Sequence, residues 1–268
     1  MKKTIDIDKV IAYVRSLQKK GGGFGATPRL PATVEDTFHA VAIFKLLAET
    51  ASRPEPLAAC QADRMLLEYI AGLWPCDRLD LKSVYQLYAT AQKLNANLDQ
   101  TPLRELAAQK MARNPSPPTV YYGCLILNGR CNEMVLEQIE PLRPGSNLQT
   151  DRYVCEERMM GLETLGALGK EPDRGLKKEL IAWFQDCQTP DGGFGFLPGT
   201  TSFIENCHFC LKALAMLGAL PRNQAESAAF IAACQTRNGG FGRRGNAAPF
   251  LDATYHAVAS LAILHQHP

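Results

Sequence analysis

The sequence predicts an all-α fold: about six helical hairpins closed into two concentric rings. Three observations carry that expectation. A repeat unit recurs three times without gaps, the second half of each unit is nearly free of charge, and the stretch between the clear copies divides at prolines into three further units. The whole of residues 1–268 reads as a single domain of this kind.

The clear copies span residues 8–50, 175–220 and 222–266. Gln18, Gln188 and Gln235 each lie six residues before a phenylalanine, Phe24, Phe194 and Phe241. Eleven residues after each phenylalanine comes a carboxylate, Glu35, Glu205 and Asp252. Gln188 and Gln235 are 47 residues apart, a spacing in the range of helical repeats. Before each glutamine, apolar residues recur at helical intervals, as in Ile11, Val14 and Leu17 or Ile181, Phe184 and Cys187, which predicts an amphipathic first helix. The following Gly-Gly pair is expected to end that helix, since glycine accepts positive φ at little cost. A loop rich in Pro, Gly, Asn and Thr follows, with the glutamine expected to satisfy its backbone groups and the phenylalanine to fold back under the two helices it joins. The second helix opens near the carboxylate, which suits an N-terminus either as a cap or as one member of a rim of like groups at equal height. It continues in small apolar residues, as in HAVASLAIL, and should be buried on several sides.

Residues 57–168 are the degenerate part. They divide into 57–96, 103–128 and 131–168, with breaks at Pro54, Pro102, Pro115, Pro117, Pro118, Pro141 and Pro144, residues that halt a helix. An open array needs capping repeats; six hairpins can instead close, with the uncharged helices inside.

The formal net charge is +2, so nothing global points to nucleic acid. No apolar stretch approaches the roughly 20 residues of a membrane span, and no signal-peptide pattern is present. Nine cysteines, scattered and without paired CxxC spacing, predict a reduced, cytoplasmic chain in which most are small buried hydrophobes.

The unit FIxxCQxxxGGFG, then a loop, then [DE]xxxHAxxxL, resembles the repeat of protein prenyltransferase β subunits, to which the squalene–hopene and oxidosqualene cyclases carry a relative. The resemblance implies an α/α toroid with a central cavity for an isoprenoid or other lipid. For a prenyltransferase it further implies a helical partner subunit and a zinc ion held by an Asp-x-Cys and by a His from the next repeat. Glu205, Cys207 and His256 stand at those positions, with glutamate for aspartate. Counting from Asp252 instead places Tyr255 at the histidine's position. The family's Arg and Lys for the donor diphosphate have no counterpart in Gly199–Ile204, leaving Arg243 and Arg244 to hold a diphosphate. The cyclase comparison rests on Thr33-Val34-Glu35-Asp36-Thr37, similar to the Asp-x-Asp-Asp-Thr of class II terpene cyclases. It implies Glu35 or Asp36 as a buried general acid, a role that burial supports by raising a carboxyl pKa. The first Asp of that motif is Thr33 here.

Three functions follow as expectations: a zinc-dependent prenyltransferase-like enzyme, a cyclase-like general-acid enzyme, and a non-catalytic toroid binding lipid or protein. Glu35 with His39 and Asp252 with His256 share a helix face, as couples or plain hydrogen bonds. His208 and Cys210 are a spare pair. The run Cys155–Met160 places Glu156 and Glu157 either in the ring or on a solvated face, and His265 and His267 sit at the frayed terminus.

Overall fold

The computed structural model describes residues 5–74, 78–114, 116–129 and 154–266. Those residues form α1 (Ile7–Ser16), α2 (Val34–Thr50), α3 (Glu55–Ala62), α4 (Arg64–Gly72), α5 (Leu81–Lys93), α6 (Thr101–Arg113), α7 (Pro117–Leu127), α8 (Val154–Ala167), α9 (Arg174–Asp186), α10 (Ile204–Met216), α11 (Gln224–Ala233) and α12 (Leu251–Gln266). The β structure among them is slight: a hairpin of β1 (Phe241–Gly242) with β2 (Pro249–Phe250), and bridges at the repeat turns.

Six helices close a ring. α2 packs on α5, α5 on α7, α7 on α8, α8 on α10, α10 on α12, and α12 returns to α2. The reason lies in their composition: α2 buries an unbroken run from Asp36 to Phe44, so no face of that stretch can be left to water. The outer helices are two-sided. α1 buries Val10, Ile11, Tyr13 and Val14 while Lys9 and Arg15 stay exposed. α3, α6, α9 and α11 pack outside α2, α7, α10 and α12. In the degenerate region, α3 to α5 and α6 with α7 supply the first two expected hairpins, and α8 is the inner helix of the third. That hairpin's first half, within residues 131–153, lies outside the described residues, as do Pro115, Cys76, Cys131 and His267.

The repeat turn departs from expectation in one respect. The helix does not run to the Gly-Gly pair: α1 ends at Ser16, and Gln18 then pairs with Phe24 across a short antiparallel bridge, as Gln188 does with Phe194 and Gln235 with Phe241. The glycines serve the tight approach of the next outer helix instead. Gly22, Gly192 and Gly239 have φ of 104°, 87° and 96°. A Cβ there would lie 2.0, 2.3 and 2.2 Å from the carbonyl oxygens of Met65, Glu226 and Lys9, in the first turns of α4, α11 and α1. Only glycine fits both the conformation and the contact.

The glutamine stitches the same joint. Gln188 Nε2 donates to the Asn223 carbonyl at 2.8 Å, and Gln188 Oε1 accepts from the Asn223 amide at 2.9 Å, at the N-cap of α11. Gln235 repeats this with Asp6, the N-cap of α1, at 3.1 Å in both directions. The last hairpin is thus joined to the first by the device that joins its neighbours, and the ring closes. Beneath each joint Phe24, Phe194 and Phe241 are fully buried, each contributing roughly 1.5–3 kcal/mol by leaving water.

Candidate functional site

The inner helices start at one end of the ring and run the same way, so equivalent positions lie at equal height. Five of them open with a charged residue: Glu35 on α2, Lys82 on α5, Glu156 on α8, Glu205 on α10 and Asp252 on α12. All five line a central cavity of about 600 Å³. Three and four residues further on, one turn deeper on the same face, the wall is formed by Phe38 and His39, Tyr85 and Gln86, Met159 and Met160, His208 and Phe209, and Tyr255 and His256, with Tyr121 and Tyr122 from α7. Deeper still, Lys212 Nζ donates to both oxygens of Glu163 at 2.8 and 2.7 Å, and Tyr121 Oη donates to the same carboxylate at 2.7 Å.

The rim is a mixed-charge collar. Lys82 pairs with Glu35 at 2.7 Å, and Arg243 pairs with Glu205, its Nε at 2.8 Å. Desolvation raises the carboxyl pKa of Asp252, and the carboxylates of Glu205 and Glu35 add to the rise. Glu156 is raised as well, by desolvation first, with Lys82 opposing.

The wall below is aromatic and its histidines are neutral. Tyr255 stacks on His39 with ring centroids 4.8 Å apart, and Phe38 meets Tyr255 at 5.8 Å and Tyr85 at 6.2 Å. His208 Nδ1 lies 2.9 Å from His256 Nδ1, so one ring donates and the other accepts. Burial pushes His39 and His256 down to about 3 and lowers His208 too, the neighbouring His256 contributing there. His39 Nδ1 and Gln86 Oε1 are buried and have no hydrogen-bond partner among the described residues.

The prenyltransferase alpha-alpha toroid domain matches residues 1–94, 158–220 and 200–267. The chain belongs to this toroid family. Among solved structures it is similar to the Candida albicans protein geranylgeranyltransferase-I complexed with GGPP, at 11% identity and a TM-score of 0.71, over 98% of this chain and 92% of that one. It is also similar to the type II terpene cyclase MstE from Scytonema: in complex with geranylgeranyl dihydroxybenzoate, at 14% identity and a TM-score of 0.63 over 97% of this chain and 96% of that one, and in its apo form, at 14% and 0.60 over the same shares. At these identities the likeness is one of fold. No curated protein sequence matches the chain.

Among the toroid's described residues, no three His, Cys, Asp or Glu side chains are grouped to hold a metal. Glu205, Cys207 and His256 do not fit the zinc set that the resemblance implies, and the reason is local. Cys207 lies thirteen residues after Phe194, the position of Thr37 after Phe24 and of Thr254 after Phe241. Both threonine hydroxyls accept the phenylalanine amide at 3.0 Å. Cys207 takes the Phe194 amide in the same way; it is fully buried, and desolvation holds its thiol well above the ordinary value. It is a structural acceptor turned away from the cavity, while Glu205 is engaged by Arg243 and His256 by His208. Tyr255 and His256, the two residues between which the count is ambiguous, both line the cavity.

The remaining assignments divide similarly. Arg243 is at the rim, over the Phe203 ring at 4.7 Å; Arg244 also approaches Phe203, at 5.8 Å, but does not line the cavity. Glu35 lines the cavity. Asp36 does not: Thr33 Oγ1 donates to its carboxylate at 2.7 Å and accepts its amide at 3.0 Å, a closed cap on α2. Sequence reasoning left Glu156 undecided between ring and surface, and it passed over Lys82, Tyr85, Gln86 and Tyr122. The repeat phase was the available signal: Lys82 stands at the carboxylate position of a repeat that has lost its GGF turn.

Proposed function

We propose that this toroid holds an isoprenoid chain in its central cavity, with the apolar chain against the aromatic and methionine wall and an uncharged head group toward the rim. The observation that carries the reading is the wall itself: six inner helices present aromatic or methionine side chains one turn below a charged collar, around a volume within the usual range for small-molecule sites. Isoprenoid ligands in similar folds, GGPP in the geranylgeranyltransferase and geranylgeranyl dihydroxybenzoate in the terpene cyclase, support it by analogy of fold.

The head group follows from charge. Among the described rim residues, four carboxylates (Glu35, Glu156, Glu205 and Asp252) face two cations, Lys82 and Arg243, each already paired to one of them. A diphosphate would have to displace those pairs and then lie beside the surplus carboxylates, where charge-assisted bonds cannot form. An alcohol or an alkene meets no such penalty. The test is thermal-shift titration with geranylgeraniol and with geranylgeranyl diphosphate. Stabilisation by the alcohol, with at least tenfold weaker action of the diphosphate, is expected; the reverse order would overturn this assignment of the head group.

One observation favours a second, catalytic reading. Desolvation raises the carboxyls of Glu156 and Asp252, which favours their acid form, and a carboxylic acid above an aromatic wall is the group that could protonate an alkene. On this reading, cyclised product from a C20 polyene disappears in Glu156→Gln or Asp252→Asn; no product from the unaltered protein leaves the binding toroid.

A further inference from the structure

The charged collar is interrupted at α7. That helix opens with Pro117 and Pro118, and Pro118 stands four residues before Tyr122, as Glu35 stands before His39 and Lys82 before Gln86. Proline suits a first helical turn, where its missing N–H has no helical partner to lose. It carries no charge, and it does not line the central cavity.

At this interruption a second cavity, of about 350 Å³, adjoins the first. Lys82, Tyr122, Glu156 and Met160 line both, so the two volumes meet at those four side chains. The volume of this lateral pocket lies within the range of small-molecule sites.

Its chemistry is one-sided. Leu81, Pro118, Met160 and the Tyr122 ring give it apolar walls, which suit a flat ring. Two of its donors already have partners: Lys82 pairs with Glu35 at 2.7 Å, and Thr119 Oγ1 shares a hydrogen bond of 2.8 Å with Ser116 Oγ. Against them stand the carboxylates of Asp80, Glu156 and Glu157, and an ionised carboxylate only accepts. A group that enters has to bring hydrogens of its own, and an anionic group would be repelled.

We infer that the lateral pocket takes the head group of the ligand, an uncharged aromatic ring bearing hydroxyls, joined to the isoprenoid chain in the central cavity. The inference rests on the cavity reading and narrows its ligand class to prenylated phenols and hydroquinones. The ring lies against the apolar walls and its hydroxyls donate to the carboxylates, bonds stronger than those between neutral groups. The chain crosses between the two volumes at the four shared side chains.

Competition against a fluorescent prenyl probe tests this, using geranylgeraniol, geranylgeranyl hydroquinone kept reduced, and the dimethyl ether of that hydroquinone. The unaltered protein should bind the hydroquinone at least tenfold more tightly than the alcohol or the ether. Thr119→Trp places a bulky ring in the lateral pocket, at a residue that does not line the central cavity, and should bring the hydroquinone-to-alcohol ratio to within about twofold. Asp80→Asn keeps an N-cap residue on α5 while removing one anionic acceptor, and should lower the same ratio at least threefold. Equal affinities for hydroquinone and alcohol in the unaltered protein, or a preference that survives Thr119→Trp, would overturn the inference and leave the cavity reading intact. An ether bound as tightly as the hydroquinone would overturn the assignment of hydroxyl donors. Failure of the probe and of all three compounds to bind would overturn the cavity reading, and this inference with it.

Discussion

The amides of Phe24, Phe194 and Phe241 decide what must stand thirteen residues later. Each is buried beside a helix N-terminus and needs an acceptor, supplied by Thr37, Cys207 and Thr254. Cys207→Thr should therefore leave stability within about 1 kcal/mol of the parent, whereas Cys207→Val, close in shape but without an acceptor, should lose about 1–3 kcal/mol in urea denaturation by stranding the Phe194 amide. A metal ligand would show the opposite tolerance: threonine would be no substitute. The histidines make a second prediction at this scale. His39 and His256 titrate at about 3 in the folded chain and His208 is lowered too, against about 6.5 when unfolded. Above about 6.5 neither state is protonated and nothing is lost. Below it the unfolded chain binds protons that the folded chain does not, so stability falls as pH drops from about 6.5 toward about 3. His39 alone contributes a loss of about 1.4 kcal/mol per pH unit in that window. The raised carboxyls of Asp36, Glu156 and Asp252 act in the opposite sense, favouring the folded chain as they take up protons in more acid solution. The urea midpoint should drop between pH 7.5 and 5.5, and drop less in His39→Phe; a flat profile would show that these rings are hydrated.

At the scale of elements, the recurrent joint is a glutamine, a glycine at positive φ and a buried phenylalanine that fasten one hairpin to the N-terminus of the next outer helix. Gln235→Ala would strip the Asp6 amide and carbonyl of their partners at the seam. Amide exchange should then rise in α1 and in the 235–242 turn together; Gln18→Ala, which removes the bond from Gln18 Nε2 to the Asp63 carboxylate at the N-cap of α4, should loosen α4, and an unchanged α1 would mean that the seam is held elsewhere. The residues of this joint were legible in the sequence because they are local and repeat at fixed spacing; their bonds to the next outer helix were not, since the partners lie 35 or more residues away in the chain. Where it decays, legibility decays with it. α5 and α7 carry no glycine turn, so Lys82, Gln86 and Tyr122 could not be placed by motif. They are placed by helix packing, which depends on partners distant in the chain. Cys207 shows a related limit: a single Asp-x-Cys-like spacing reads as a ligand set, and comparison across the three repeats places the residue at the turn-acceptor position of Thr37 and Thr254. Asp36, an acid by motif, accepts a hydrogen bond from the Thr33 hydroxyl that caps its own amide.

For the whole molecule, ring closure turns repeat phase into function. Residues at one phase form the collar at Glu35, Lys82, Glu156, Glu205 and Asp252, and residues one turn on form the aromatic wall. The fold class followed from the sequence, because the second helix of each clear repeat is nearly free of charge and has to find a dry side, which a closed ring of six inner helices supplies. The charge balance of the collar did not, since Glu156 and Lys82 lie in degenerate repeats. The most direct test of the central claim, that the cavity holds an isoprenoid chain, is photo-cross-linking with a diazirine-bearing geranylgeraniol analogue followed by peptide mapping. Adducts should fall on α2, α5, α10 and α12, at residues such as Phe38, Tyr85, Phe209 and Tyr255, and should be suppressed by excess geranylgeraniol. Labelling confined to the outer helices, or unaffected by competitor, would contradict the account.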